Sequence, residues 1–200
     1  WIHKESGQTV AEMGGFEILL ADSPWQYRNK TIRGGAQNHY STMGLGELCM
    51  LPVERLAAPD AVLFLWATWP LLPDAFGLMR AWGFEYLNCG LVWMKTNPIS
   101  HTPFFGQGHM TRGNTEPCLM GRRGKPKRVD AAVSQVLFGG DELIVAPIGE
   151  HSAKPPEARA RITRLMGDDL SAVEMFARAP ADGWECFGDE VESTILLEHR

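Results

Sequence analysis

The chain has 200 residues, 44% hydrophobic and 22% charged, with 19 Lys and Arg against 24 Asp and Glu for a net charge of −5. That length and balance fit one domain with a sizeable core and exclude a disordered chain. No apolar run approaches the ~18 residues that a membrane-spanning helix needs, and the acidic total excludes binding to nucleic acid by charge alone.

The first element is the run Phe16-Glu17-Ile18-Leu19-Leu20-Ala21, which reads as a buried strand ending at Asp22. A polar loop with Gly34-Gly35 follows over 26–40. Residues 45–58 predict one or two short helical pieces broken at Pro52. The stretch 61–67 is apolar on both faces, as a strand inside a parallel sheet requires. Helical spacing over 71–82 puts Leu72, Phe76 and Met79 on one face, and 84–95 reads as one or two aromatic-rich strands. A Gly-rich polar loop spans 97–114, with strands expected at 116–121 and 142–147. A helix with Pro near its start covers 155–166, and strands at 172–177 and 184–187 complete the pattern. Strands alternating with helices imply a single α/β domain, residues 1–200, with its sheet covered on both faces.

Asp22-Ser23-Pro24-Trp25 stands where open α/β sheets bind ligands, at the carboxyl end of a strand. The Asp22 carboxylate and the Ser23 carbonyl are two adjacent acceptors for an amine, and Pro24 biases Ser23 toward an extended backbone that aims its carbonyl. Trp25 offers a face on which a base could stack, worth ~1–3 kcal/mol. A turn-capping Asp beside a core Trp is the bland alternative, with about even weight on these four residues taken by themselves.

Eight blocks, in order, carry a resemblance. They are 21–25, His39-Tyr40-Ser41-Thr42-Met43, Leu63-Phe64-Leu65-Trp66-Ala67-Thr68, Val92-Trp93-Met94-Lys95-Thr96-Asn97, 106–121, His151-Ser152-Ala153-Lys154-Pro155, Glu174-Met175-Phe176-Ala177-Arg178, and Gly183-Trp184 with Gly188-Asp189-Glu190. Over 16–192 the chain resembles the adenine N6-methyltransferases related to the catalytic subunit of the mRNA methylation complex, including their bacterial and phage DNA-modifying branch. The resemblance implies a Rossmann-like methyltransferase fold, with a mostly parallel central sheet and helices on both faces. It implies S-adenosyl-L-methionine as cofactor and the N6 amine of adenine in DNA as target. RNA adenosine, or a catalytically silent partner subunit, is the alternative.

Residue by residue, the resemblance assigns catalysis to Asp22, Ser23, Pro24 and Trp25. Asp22, Lys154, Arg178, Asp189 and Glu190 fall to the cofactor. Ser23 stands where the family usually has a first proline, which keeps the backbone acceptor but loosens the turn. Ala179-Pro180-Ala181 follow Arg178 where eukaryotic members carry Pro-His-Asn.

Trp25, Tyr27, Arg28, Lys30, Arg33, Tyr40, His109, Arg112 and Asn114 are the expected contacts to the nucleic acid. The basic residues at 28–33 adjoin the catalytic turn and suit phosphates, and Tyr27 and Tyr40 could flank an extruded base. A second basic run, 122–128, has equal claims as a phosphate contact and as a solvated face. No His, Cys and Asp spacing suggests a metal. Four scattered cysteines read as reduced, mostly buried thiols. With no apolar N-terminal signal, the expected location is cytoplasmic, and a homodimer is compatible with the exposed basic loop.

Overall fold

The computed structural model describes residues 1–26, 42–97, 99–106, 110–133, 135, 144–147 and 153–197. Its elements in chain order are β1 (Ile2–His3), β2 (Phe16–Ala21), α1 (Leu45–Met50), β3 (Ala57–Trp66), α2 (Leu72–Ala81), β4 (Glu85–Thr96), β5 (Thr115–Arg123), β6 (Ile144–Pro147), α3 (Glu157–Met166), β7 (Ala172–Met175), β8 (Glu185–Phe187) and β9 (Ile195–Leu196). Short 3-10 turns precede β3 and α2.

Among the described residues, seven strands form one sheet in the order β6-β4-β5-β3-β2-β7-β8. The pairs β2–β3, β2–β7, β4–β6 and β7–β8 are parallel, while β5 runs antiparallel to both β3 and β4. The sheet is therefore mixed, with six strands in one direction and β5 reversed. That reversal carries the start of β5 to the edge where β2, β3 and β4 end.

Period-2 alternation sorts the strand residues between two cores. Leu19, Ala21, Leu63 and Leu65 pack on one face with Ala75, Leu78 and Met79 of α2. Ile18, Leu20, Val62, Phe64, Trp66 and Trp93 pack on the other with Ala158, Ile162 and Met166 of α3, at helical i, i+4, i+8 spacing. The sheet thus has helices on both faces, as expected. Each large side chain removed from water here contributes roughly 1.5–3 kcal/mol. α3 is capped by Pro156 just before Glu157 and stops where Gly167 takes a φ of 103°, a positive value that suits glycine.

The region 84–95 is a single strand, β4, with register irregularities between Tyr86 and Asn88 and between Cys89 and Leu91. These bulges interrupt its periodicity, which is why the sequence leaves one strand or two open. β1 pairs with β9 in a small antiparallel sheet. No helix among the described residues is long and apolar enough to cross a membrane.

Candidate active site at the carboxyl edge of the sheet

The chain leaves β2 at Ala21 and turns at once. The Trp25 N–H donates to the Ser23 carbonyl at 2.8 Å, closing a three-residue turn around Pro24. The turn is tied down on both sides. The Met43 N–H donates to the Pro24 carbonyl at 2.9 Å, and the Gln26 N–H to the Met43 carbonyl at 3.1 Å. Trp25 Nε1 donates to the Trp66 carbonyl at the end of β3, 3.3 Å away.

Trp25 itself differs from expectation. Its side chain belongs to the core shared with Leu19, Leu65 and Met175, and the residue is only 8% exposed. The structure contradicts an open stacking face: the indole staples the turn to β3. An aromatic after a strand-end turn satisfies either role from sequence, and here apolar burial on the α2 face of the sheet wins.

Asp22 continues the alternation of Ile18 and Leu20 and so lies on the α3 side of the sheet. Four charged groups meet there. Lys154 Nζ donates to Asp22 Oδ1 and Oδ2, both at 2.8 Å, and lies 3.1 Å from Glu116 Oε1. Lys95 Nζ lies 2.7 Å from Glu116 Oε2. The quartet alternates in sign from Asp22 through Lys154 and Glu116 to Lys95. Burial pushes the Glu116 carboxyl up, but Lys154 and Lys95 hold it below its ordinary value. Burial opposes charge on Lys154 too, and Asp22 and Glu116 outweigh it and raise its pKa. Each ammonium also sits over an indole, Lys154 at 5.7 Å from the Trp66 ring and Lys95 at 4.9 Å from the Trp93 ring.

Beside this quartet, across the turn, a cleft opens between Asp22, Ser23 and Pro24 on one wall and Phe176, Ala177, Arg178, Asp189 and Glu190 on the other. The second wall is where β7 and β8 end together. Phe176 has a φ of 59°, a strained value for an aromatic residue. Gly188 lets the two strand ends close, since a Cβ there would stand 2.1 Å from the Ala177 carbonyl oxygen.

Of the expected site residues, Asp22, Ser23, Pro24, Arg178, Asp189 and Glu190 thus share one cleft. Lys154 is instead engaged with Asp22 and Glu116. Arg112 is exposed and Asn114 half-buried just before β5, at the same edge, with the Asn114 carbonyl accepting the Lys95 N–H at 2.8 Å. Tyr27, Arg28, Lys30, Arg33, Tyr40 and His109 lie outside the described residues.

Sequence reading places Glu116 with His109, Arg112 and Asn114 in a loop that could cover the target base, and gives Lys95 no role of its own. The available signal was a charge at the catalytic-edge end of each of two apolar strands. The basic run 122–128 belongs to the opposite end, because β5 carries Arg123 to pair with Ala61, near the start of β3. Arg122 is bound there to Glu85, Arg123 to the Glu54 carbonyl, and the Lys125 N–H to Asp60. About seven residues of strand rise, roughly 23 Å, separate that end from Glu116.

Among the described residues no group of three His, Cys, Asp or Glu side chains is placed to hold a metal. All four cysteines are free, with Cys118 and Cys186 buried. Burial raises the Cys118 thiol well above its ordinary value.

The MT-A70 family profile matches residues 16–190. The chain belongs to the MT-A70 family. The type II methyltransferase M.MunI of a Mycoplasma species is 30% identical over 194 residues, covering 88% of this MT-A70 chain and 78% of its own length. The N6-methyladenosine RNA methyltransferase MTA1 of Cryphonectria parasitica is 29% identical over 199 residues, covering 95% of this chain and 56% of its own. Human METTL3, an N(6)-adenosine-methyltransferase catalytic subunit, is 27% identical over 192 residues, covering 94% of this chain and 30% of its own. The chain thus spans most of the Mycoplasma protein and under a third of the human one. Each of these relatives is named as a methyltransferase, and the matched region holds both walls of the cleft.

Proposed function

We propose that this MT-A70 protein is an S-adenosylmethionine-dependent methyltransferase that modifies the N6 amine of adenine in DNA, through a single Rossmann-like domain. The observation that carries the reading is the cleft at the carboxyl edge, with the Asp22-Ser23-Pro24 turn facing Arg178, Asp189 and Glu190. Its donor set suits the cofactor. The Asp189 and Glu190 carboxylates, exposed at the rim, match ribose hydroxyls. Arg178 supplies hydrogen-bond donors and Phe176 an aromatic face for the adenosine end. Lys154 lies within reach of the same turn for the carboxylate end.

When bound, S-adenosylmethionine supplies an electrophilic methyl group. Asp22 and the Ser23 carbonyl act on the other reactant. The adenine amine is a poor nucleophile because its lone pair is delocalised into the ring. Two acceptors holding its hydrogens favour a pyramidal nitrogen and stabilise the positive charge that grows on it. The Ser23 carbonyl has a lone pair left beside its bond to the Trp25 N–H. Asp22 then takes the proton that the methylated nitrogen sheds and passes it to water.

DNA is favoured as substrate by the similarity to M.MunI, most of whose length the chain spans. RNA is the second reading, supported by the names of MTA1 and METTL3 at nearly equal identity. Tyr27, Arg28, Lys30, Arg33, Tyr40, His109, Arg112 and Asn114 are proposed to meet the strand.

The experiment is transfer of labelled methyl groups to single-stranded DNA, duplex DNA and RNA oligonucleotides, each with and without adenine. Adenine-dependent label on DNA supports the first reading, and label confined to RNA the second. No transfer to any of them, with no heat of cofactor binding, leaves the silent subunit.

A further inference from the structure

The mechanism above uses Asp22 and leaves Glu116 and Lys95 unexplained. Glu116 is 5% exposed, and a carboxylate so far from water is costly unless both oxygens are paired. Its two oxygens are divided, Oε1 to Lys154 at 3.1 Å and Oε2 to Lys95 at 2.7 Å. Lys154 in turn divides its donors between Glu116 and Asp22.

We propose that Lys95 is a positioning residue for the methyl transfer: by holding Glu116 Oε2 it keeps Glu116 charged and drawing on Lys154, and so limits how tightly Lys154 grips Asp22. The inference rests on the function proposed above. Asp22 must receive the target amine on a carboxylate that Lys154 already contacts through both oxygens. A counter-pull on Lys154 leaves Asp22 able to accept another donor. With Lys95 neutralised, two carboxylates would face one ammonium at this site, and Glu116 would take up a proton more readily. A protonated Glu116 no longer draws on Lys154, whose charge then falls wholly on Asp22.

Packing restricts the alternatives. The Trp66 and Trp93 rings under the two ammonium groups meet edge to face at 6.5 Å, forming an aromatic floor beneath them. Among the described residues, the titratable and charged groups around Glu116 are Lys95 from β4, Lys154 ahead of α3, Cys118 from its own strand and Asp22 from the end of β2. Glu174 of β7 lies beyond Asp22 and is bound to Arg159 of α3 at 2.7 Å. Among the described residues, Lys95 and Lys154 are the cations that hold Glu116.

The test uses the whole chain as wild type, Lys95→Met, Lys95→Arg, Glu116→Gln and the Lys95→Met, Glu116→Gln double variant. Carbon-detected NMR follows the Glu116 carboxyl titration, assigned by its loss in Glu116→Gln. In parallel, kcat and KM are measured against pH. In Lys95→Met the Glu116 midpoint should rise by about one unit or more. Between the wild-type and the shifted midpoint, kcat should fall by up to roughly 10-fold, so that its acid limb moves to higher pH, while kcat well above the shifted midpoint and KM for the cofactor should change less than about 2-fold. Lys95→Arg should restore both the midpoint and kcat. Lys95→Met should add little once Glu116→Gln is present, because the two act through one contact.

An unmoved midpoint overturns the proposal. So does a Lys95→Met loss that is just as large in the Glu116→Gln background, or one that Lys95→Arg does not repair. Lys95→Gln replaces Lys95→Met if the latter does not fold. A wild type that transfers no methyl group would sink the proposed activity, while the Glu116 midpoints still decide the Lys95–Glu116 link.

Discussion

Lys154 holds both carboxylate oxygens of Asp22 at 2.8 Å while also reaching Glu116 at 3.1 Å. One ammonium thus ties the end of β2 to the start of β5, and their partly buried charges depend on it. Lys154→Met leaves Asp22 without this cation and Glu116 with Lys95 alone, and should destabilise the fold by about 3–5 kcal/mol near pH 7.5. The pH dependence has a definite sign. Glu116 is held below its ordinary 4.5, so its contribution is present above that value and is lost as pH falls through the folded value. Lys154 is raised above its ordinary 10.5, so its contribution is present below that value and is lost only as pH rises through the folded value. Thermal melting should show a wild-type plateau between about pH 5 and 10, with the Lys154→Met deficit shrinking as pH falls through the carboxylate range. A deficit that is the same at every pH would contradict this.

Trp25 is predominantly a packing residue in this structure. Trp25→Ala should cost about 3–5 kcal/mol of stability. Trp25→Phe keeps much of the bulk but loses the bond to the Trp66 carbonyl, and should cost about 1 kcal/mol for that bond besides a smaller packing loss. Chemical denaturation measures both. Unchanged stability in Trp25→Ala, with loss confined to polymer binding, would restore the stacking role.

Gly188 allows β7 and β8 to close on each other behind the cleft. Gly188→Ala would drive a Cβ against the Ala177 backbone and must displace one wall. Overpacking of this kind costs about 1–3 kcal/mol. Cofactor affinity by calorimetry should fall about 10-fold or more, since 1.4 kcal/mol is tenfold. An unaltered affinity would mean that this wall does not contact the cofactor.

The run 122–128 lies far from Asp22, so neutralising Lys125, Lys127 and Arg128 together should leave DNA affinity and its salt slope unchanged. A side chain that did pair with a phosphate would, once neutralised, lower that slope by about 0.9. Fluorescence anisotropy across a salt series decides it, and a flatter slope would place the polymer at the opposite end of the sheet.

Much of the site was legible in the sequence because it is local. A buried apolar run halts at Asp22, and one proline fixes the turn that follows. Asp189 and Glu190 were found through the resemblance, and β8 then brings them to the same cleft. The Glu116–Lys154 contact was not legible, since it joins residues 38 positions apart (154 − 116) and no local periodicity records it. Nor was the reversal of β5, because strand direction leaves no mark on an apolar run. The β1–β9 sheet pairs two-residue strands from opposite ends of the chain, too short to show alternation.

The most direct test of Asp22 as the group that grips the target amine is nucleoside mass spectrometry of DNA after a single turnover. Wild type should yield N6-methyladenine. Asp22→Ala should yield it at least about 100-fold more slowly under saturating cofactor. A comparable rate in Asp22→Ala, or a methyl group found on cytosine instead of adenine, would contradict the account.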